Sequence, residues 1–239
     1  MTGMSISSSE VHVLPLVQRY LKQQAFLYGD ELILTERRFS GKPCFSTLSD
    51  LKQRIAECQE CGLGRLRKHL VIGAGNENAT LMLIGEAPGE EEDRQGVPFV
   101  GEAGKLLDKV LEAIGFQREE VYIANILKCR PPGNRDPQPD EVQHCMPYLT
   151  IQIALIRPRM LLILGRVAAQ SLLATSLPLN RLRRQWHTWS GIPALVTYHP
   201  AALLRTAAFK RDTWEDVQLL RHEYDRIVGD KPVWRPKKA

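Results

Sequence analysis

The sequence predicts an α/β fold of three layers, α/β/α, around a central, mostly parallel sheet of about four strands. Two observations predict it. From about residue 79 apolar runs alternate with helical patterns, the rhythm of a parallel sheet covered on both faces. The polar chemistry gathers where those runs end, at "GEAPGE", "NILKCR", "LGR" and "TYHPA". In such sheets ligands bind beyond the carboxyl ends of the strands.

Taken in order, "VHVLPLVQRYLKQQAFLYG" reads as an amphipathic helix, with Val11, Leu14, Val17, Tyr20 and Leu21 near helical spacing. Residues 28–47, with Gly, Pro and Ser, read as a linker. "TLSDLKQRIAEC" opens on capping residues and continues as a short helix into Cys58. "ATLMLIGE" is a strand, followed by a helix from 102. "EVYIANIL" is a strand, followed by a helix from about 139. "RMLLILG" precedes a helix from 166, and "IPALVTY" precedes helices to about 228. The tail "KPVWRPKKA" is basic and expected to be loose. The chain divides into an N-terminal extension (1–47), a domain (48–228) and a basic tail (229–239).

The 239 residues are 44% hydrophobic and 25% charged, ordinary values for a globular protein. No run approaches the roughly 18 apolar residues of a membrane span, so no membrane association is expected. "MTGMSISSSE" has no basic start and no apolar signal core, and a cytoplasmic monomer is the expectation. A net charge of +5 and a pI near 9.0 are compatible with a polyanionic partner.

Cysteines stand at 44, 58, 61, 129 and 145. A reduced compartment argues against structural disulfides. Cys58 and Cys61 form a C-x-x-C, which suits a zinc half-site, a redox pair or part of an iron–sulfur site. A redox pair alone leaves Cys129 and Cys145 without a role, and the 15 residues between those two are wide for a zinc ribbon. The loop "RPPGNRDPQPDEVQH" can wrap around a bulkier cluster. Cys129 and Cys145 can also be small buried hydrophobes. Cys44 reads as a free thiol.

"GEAPGEEEDRQGVPFVG" (85–101) joins the first strand to its helix. Glycine-rich turns there often cradle phosphates. This one carries Glu86, Glu90, Glu91, Glu92 and Asp93, and it lacks the Lys and Ser/Thr of a P-loop. Like charges repel, so the turn suits an uncharged partner that offers N–H donors to a carboxylate and a flat face to Phe99.

"GEAPG", "PFVGEAGKLL", "NILKCRPPGNRDP" and "YHPAALLR" resemble, in order, the motifs of the family 4 uracil-DNA glycosylases, the iron–sulfur branch of that superfamily. The likeness spans about residues 48–225. It implies a uracil-DNA glycosylase-like fold, uracil-containing DNA as partner and a 4Fe-4S cofactor held by Cys58, Cys61, Cys129 and Cys145. It further implies a DNA repair glycosylase that flips uracil out, hydrolyses its N-glycosidic bond and leaves an abasic site. Glu86 takes the place of a polar residue at the pocket floor. Phe99 matches the ring that stacks on uracil, and Asn125 the amide that reads its edge. Asn134 and Glu92 match positions near the scissile bond, and His199 the histidine facing O2. Two departures stand out against the "GQDPYH" pattern of other uracil glycosylases. Ala87 replaces the Asp that orients water, so Asn134 or Glu92 takes that task. Gly89 replaces the Tyr that blocks thymine's methyl group, which leaves Glu86 as the candidate for excluding thymine.

The loop after His199 corresponds to one that enters the DNA minor groove. Leu203 and Leu204 are candidates to fill the gap left by the flipped base, or members of an amphipathic helix. Arg205, Lys210 and Arg211, with Arg181, Arg183 and Arg184, are candidates to hold phosphates. No lysine is placed as a Schiff-base nucleophile, which predicts a monofunctional enzyme. An iron–sulfur DNA-binding protein without catalysis and a zinc protein acting on free nucleosides are the rival readings.

Overall fold

The computed structural model describes residues 46–235. The helix expected at 11–29, the linker up to residue 45, Cys44 and residues 236–239 lie outside that range. Thr47 opens the described chain as the N-cap of α1 (Leu48–Ile55), where Thr47 and Asp50 form a reciprocal capping box.

Six strands form one sheet in the order β1–β3–β2–β4–β6–β5. They are β1 (Ala74–Gly75), β2 (Leu81–Gly85), β3 (Tyr122–Asn125), β4 (Met160–Leu164), β5 (Trp186–Trp189) and β6 (Ile192–Thr197). The four expected strands are β2, β3, β4 and β6, all mutually parallel. The sheet exceeds the expected four because β1 and β5 add antiparallel edges. A two-residue β1 and a polar, half-exposed "WHTW" leave no apolar run to betray either edge in the sequence.

Alternate residues of each central strand feed opposite layers. Met82, Ile84, Leu161 and Ile163 pack with α1, α4 (Pro139–Ile156) and α5 (Arg166–Leu173). Leu81, Leu83, Leu162 and Leu195 pack with α3 (Glu102–Ala113) and α8 (Phe209–Ile227). The three-layer α/β/α architecture is therefore as expected. Three short helices complete it: α2 (Glu90–Gln95), α6 (Leu179–Leu182) and α7 (Pro200–Arg205). Among the described residues no helix is long and apolar enough to cross a membrane.

Helix α2 accounts for most of the acids of the 85–101 stretch, which the sequence presented as a turn. Glu90–Asp93 fill its first turn, where carboxylates favour the helix dipole. Asp93 is buried and accepts from the N–H of Lys68 (2.9 Å). The tail also departs from expectation. Lys231 Nζ donates to Glu120 (2.6 Å), Arg221 donates to the Pro232 carbonyl, and the Trp234 indole donates to the Ala113 carbonyl. Residues 231–234 are thus docked on the α3–α8 layer.

A buried ion pair anchors the far end of β6. Asp216 Oδ2 accepts from Arg183 Nε (2.7 Å) and from Thr197 Oγ1 (2.7 Å), and Arg183 also donates to the Asp212 carbonyl (2.6 Å). Arg183 is therefore structural and not available to DNA. Replacing Asp216 with Ala removes the buried partner of Arg183 Nε and leaves the half-exposed Asp212 (3.1 Å) as its remaining carboxylate, and a loss of about 3 kcal/mol is expected. Guanidinium chloride unfolding of the variant checks this.

Candidate active site and four-cysteine centre

The carboxyl ends of β2, β3 and β6 converge on a cavity of about 320 Å³. Glu86, Ala87 and Gly89 reach it from the turn after β2, and Asn125 from the last position of β3. Phe99 comes from the segment before α3, His199 and Arg205 from the two ends of α7, and Asn134 from the loop after Cys129. Glu92, on α2, completes the set.

Each side chain is held by a specific local device. Gly85 pairs with Asn125 across the parallel ladder. A Cβ at Gly85 would lie 2.4 Å from Asn125 Oδ1 and 2.8 Å from the Phe99 ring, so glycine makes room for both. Phe99 has φ +52°, a left-handed conformation that costs a bulky residue about 1–3 kcal/mol. Glu92 fixes that segment, because its Oε1 accepts from the N–H groups of Val100 (2.9 Å) and Gly101 (3.0 Å). Asn134 is also left-handed, at φ +54°. Its Oδ1 accepts from Arg130 Nε (2.7 Å). Asn125 is 1% exposed, and its Oδ1 has no hydrogen-bond partner.

His199 is the N-cap of α7, and its Nδ1 accepts from the Ala201 N–H (3.2 Å). The proton of the neutral ring therefore sits on Nε2. Burial, reinforced by the Arg205 guanidinium, pulls its pKa down to about 4, against a smaller pull from Glu92. The ring lies 5.3 Å from that of Phe99, tilted by 33°. Gly165, at φ +96°, lets the end of β4 approach it, since a Cβ there would lie 2.9 Å from His199 Cβ. Glu86 behaves in the opposite sense. Burial and the nearby Asp136 push its carboxyl up to about 7, against Arg166 and Arg205.

The second centre lies one turn of chain away. Cys58, Cys61, Cys129 and Cys145 line a common cavity, and all four are free thiols. Arg67 Nη1 donates to Cys129 Sγ (3.2 Å), and the Tyr148 hydroxyl meets Cys58 Sγ at 3.4 Å. Burial raises the thiol of Cys145 to about 12 and also raises those of Cys129 and Cys61. Anionic sulfur therefore needs compensating positive charge here. Among the described residues, no three His, Cys, Asp or Glu side chains are placed to hold a single metal ion.

Comparison with known proteins identifies the lineage. The model of the Uracil DNA glycosylase superfamily matches residues 72–218. The chain belongs to the uracil-DNA glycosylase superfamily. It is 43% identical to the type-4 uracil-DNA glycosylase of Saccharolobus solfataricus over 192 residues, 77% of this chain and 87% of that protein. It is 44% identical to the type-4 enzyme of Archaeoglobus fulgidus over 166 residues, 66% and 83% of the two chains. For the type-4 enzyme of Thermotoga maritima the identity is 38% over 172 residues, 70% and 90%. The resemblance to the type-4 branch is borne out.

In this glycosylase-superfamily chain the eight pocket residues named from sequence come together, and Arg205, one of the phosphate candidates, lines the same cavity. Lys210 and Arg211 do not join them. Lys210 lies beside a separate apolar cavity with Leu106 and Trp214, and Arg211 is exposed, 3.6 Å from Glu215. Arg184 also pairs with Glu215. Leu203 is 3% exposed and belongs to the core, whereas Leu204 is 51% exposed. Sequence reasoning did not single out Asp136, which lines the cavity and pairs with Arg166 (2.6 Å). It stood inside the quoted "GNRDP". Arg130, the support of Asn134, stood in the same motif.

His199 supplies a pH test. Its folded pKa lies below the unfolded value near 6.5, so the folded state binds fewer protons. Its contribution to stability is complete above pH 6.5 and declines as pH falls towards 4. Histidine NMR titration is expected to place the His199 midpoint near 4, and His199→Gln is expected to flatten the stability profile between pH 6.5 and 4.

Proposed function

We propose that this protein removes uracil from DNA by hydrolysing the N-glycosidic bond, leaving an abasic site without cutting the strand. The observation that carries the reading is the orphaned Asn125 Oδ1, a buried acceptor without a partner at the wall of a cavity flanked by Phe99 and a neutral His199. A buried acceptor left unpaired costs about 1–3 kcal/mol, and a ligand N–H cancels that cost. The N3–H of uracil fits, with the Asn125 amide N–H donating to O4. Cytosine has an amino group at position 4 and no N3–H, so both contacts fail.

A base inside a duplex cannot reach this cavity. The nucleotide must be flipped out, at a cost of a few kcal/mol. Leu204, exposed on α7, is assigned to fill the gap, and Arg205 at the cavity mouth to hold a phosphate. The Phe99 face stacks on the ring. As the bond breaks, negative charge gathers on the departing uracil, and His199 Nε2–H donates to O2. A neutral imidazole suits that task because it stabilises the anion without a prior protonation step. Asn134, set by Arg130, is assigned the attacking water. Glu92 keeps Phe99 in place through Val100 and Gly101. Glu86 faces an uncharged ring with a carboxyl that is readily neutral. Among the described residues no lysine lines the cavity, which supports hydrolysis over Schiff-base chemistry.

The four cysteines suit a 4Fe-4S cofactor. Such a cluster takes one thiolate per iron, so its sulfur ligands stand wider apart than the roughly 2.3 Å Zn–S bonds of a single ion allow. Arg67 supplies an outer-sphere hydrogen bond to sulfur. When bound, the cluster supplies a rigid cross-link between "CQEC" and the 129–145 loop that carries Asn134. Residues 48–228 are the catalytic unit in this reading, with 1–47 an extension. In this reading the protein acts as a cytoplasmic monomer, and the four described cysteines, none in a disulfide, suit a reducing compartment.

A single-uracil oligonucleotide treated with the protein and then alkali tests the reading. Cleavage at the uracil is expected. His199→Ala is expected to lower kcat by about 10²–10³-fold, and Asn125→Ala to lower kcat/KM on the order of a hundredfold. DNA affinity should stay nearly intact in both. No cleavage above background would leave a non-catalytic DNA-binding protein.

A further inference from the structure

Lys128 is 1% exposed. An ammonium leaves water only where the interior replaces its hydration, and buried lysines usually meet a carboxylate. This one does not follow that habit. Its Nζ donates to the backbone carbonyl of Asn125 at 2.7 Å. The same residue lines the four-cysteine cavity. One residue therefore borders both centres of the molecule, with its head on the peptide of the base-reading amide.

The backbone of Lys128 makes the same link. Its N–H donates to the Cys145 sulfur, and its carbonyl accepts from Val71 N–H (2.9 Å). One residue earlier, the Leu127 N–H donates to the Glu86 carbonyl at the pocket floor (3.0 Å). Lys128 is thus fixed at both ends of a short, buried path between the two centres.

We propose that Lys128 is a positioning residue that couples the four-cysteine centre to Asn125. Its Nζ clamps the backbone carbonyl of the amide that reads the base, while the same residue lines the cavity of the four sulfurs. The inference rests on the two readings above, the cysteines as cluster ligands and Asn125 as the uracil reader. Coupling between two sites is reciprocal, so filling the pocket must perturb the cluster, and disturbing Lys128 must weaken the pocket.

The test uses the full chain. Iron and acid-labile sulfide content reads the cofactor alone, and inhibition of excision by free uracil reads the pocket alone. Visible circular dichroism of the sulfur-to-iron bands, followed during a uracil titration, reads the coupling. In the wild-type protein the bands are expected to shift as uracil saturates. Lys128→Met is expected to keep its iron and sulfide, lose the shift and bind uracil about tenfold more weakly, the scale of one hydrogen bond to a charged group. Lys128→Arg is expected to recover part of both. Wild-type bands that ignore saturating uracil overturn the coupling and leave the cofactor and pocket standing. A Lys128→Met protein that shifts and binds like wild type does the same. Protein without iron and sulfide removes the cofactor reading and the coupling together. If Lys128→Met does not fold, the wild-type titration decides.

Discussion

The seam between β2 and β3 governs the rest of the molecule. Its parallel pairing does not stop at the strand ends. Ile126 N–H donates to the Gly85 carbonyl (2.9 Å) and Leu127 N–H to the Glu86 carbonyl (3.0 Å). Two chains that would normally splay into separate loops are therefore held together for two further residues. That extension sets Glu86 and Asn125 on one cavity floor, and it delivers residues 128 and 129 to the cysteine centre. β2 hands its chain to β3 on one side while β4 leads to β6 on the other. The pocket thus sits where the direction of winding reverses, the place where open α/β sheets bind ligands.

Charge around the pocket follows from burial more than from composition. The acids of the 85–101 stretch looked like a single anionic surface. Most are committed elsewhere: Glu91 to Arg94, Asp93 to Lys68 and His69, and Glu92 to the segment behind Phe99. The groups that do line the cavity, Glu86 and His199, are driven towards neutrality. Burial lifts Glu86 to about 7 and lowers His199 to about 4, so at pH 7 the imidazole is neutral and the carboxyl carries only part of its charge. Positive charge is kept at the rim, on Arg205, where a phosphate would pass.

Much of this was legible in the sequence because the four central strands are continuous apolar runs and their ends carry the chemistry. Asn125 and His199 could be named because short motifs place them at those ends, and the four cysteines because their spacing resembles the ligand set of the type-4 branch. What was hidden follows from non-local contacts. The edge strands β1 and β5 exist by pairing with β3 and β6, and a two-residue strand has no pattern of its own. Arg183 looked like a surface cation and became core because Asp216, 33 residues later, meets it inside. Trp234 sits in a basic tail that composition marks as loose, yet its indole finds the Ala113 carbonyl. Lys128 stood in plain view beside Cys129, but no periodicity says that a lysine is buried.

The pocket is also where the fold departs most from its own preferences. Phe99 and Asn134 are left-handed, Asn125 leaves an acceptor unpaired, and Glu86 and His199 lose hydration. Each departure costs on the order of 1–3 kcal/mol, and a domain balances opposing terms on the order of a hundred kcal/mol to a net stability of only about 5–15 kcal/mol. Such costs persist only where the surroundings over-determine the conformation. Here Glu92 holds Phe99 through two backbone N–H groups, Arg130 holds Asn134, and Lys128 holds Asn125. Three of these five groups, Phe99, Asn134 and Asn125, thus have a charged side chain behind them, drawn from α2 or from the loop that leads into the cysteine centre. A cavity preformed in this way does not need to reorganise when the base arrives, so the binding energy of the ring is left for flipping the nucleotide and for the bond that breaks.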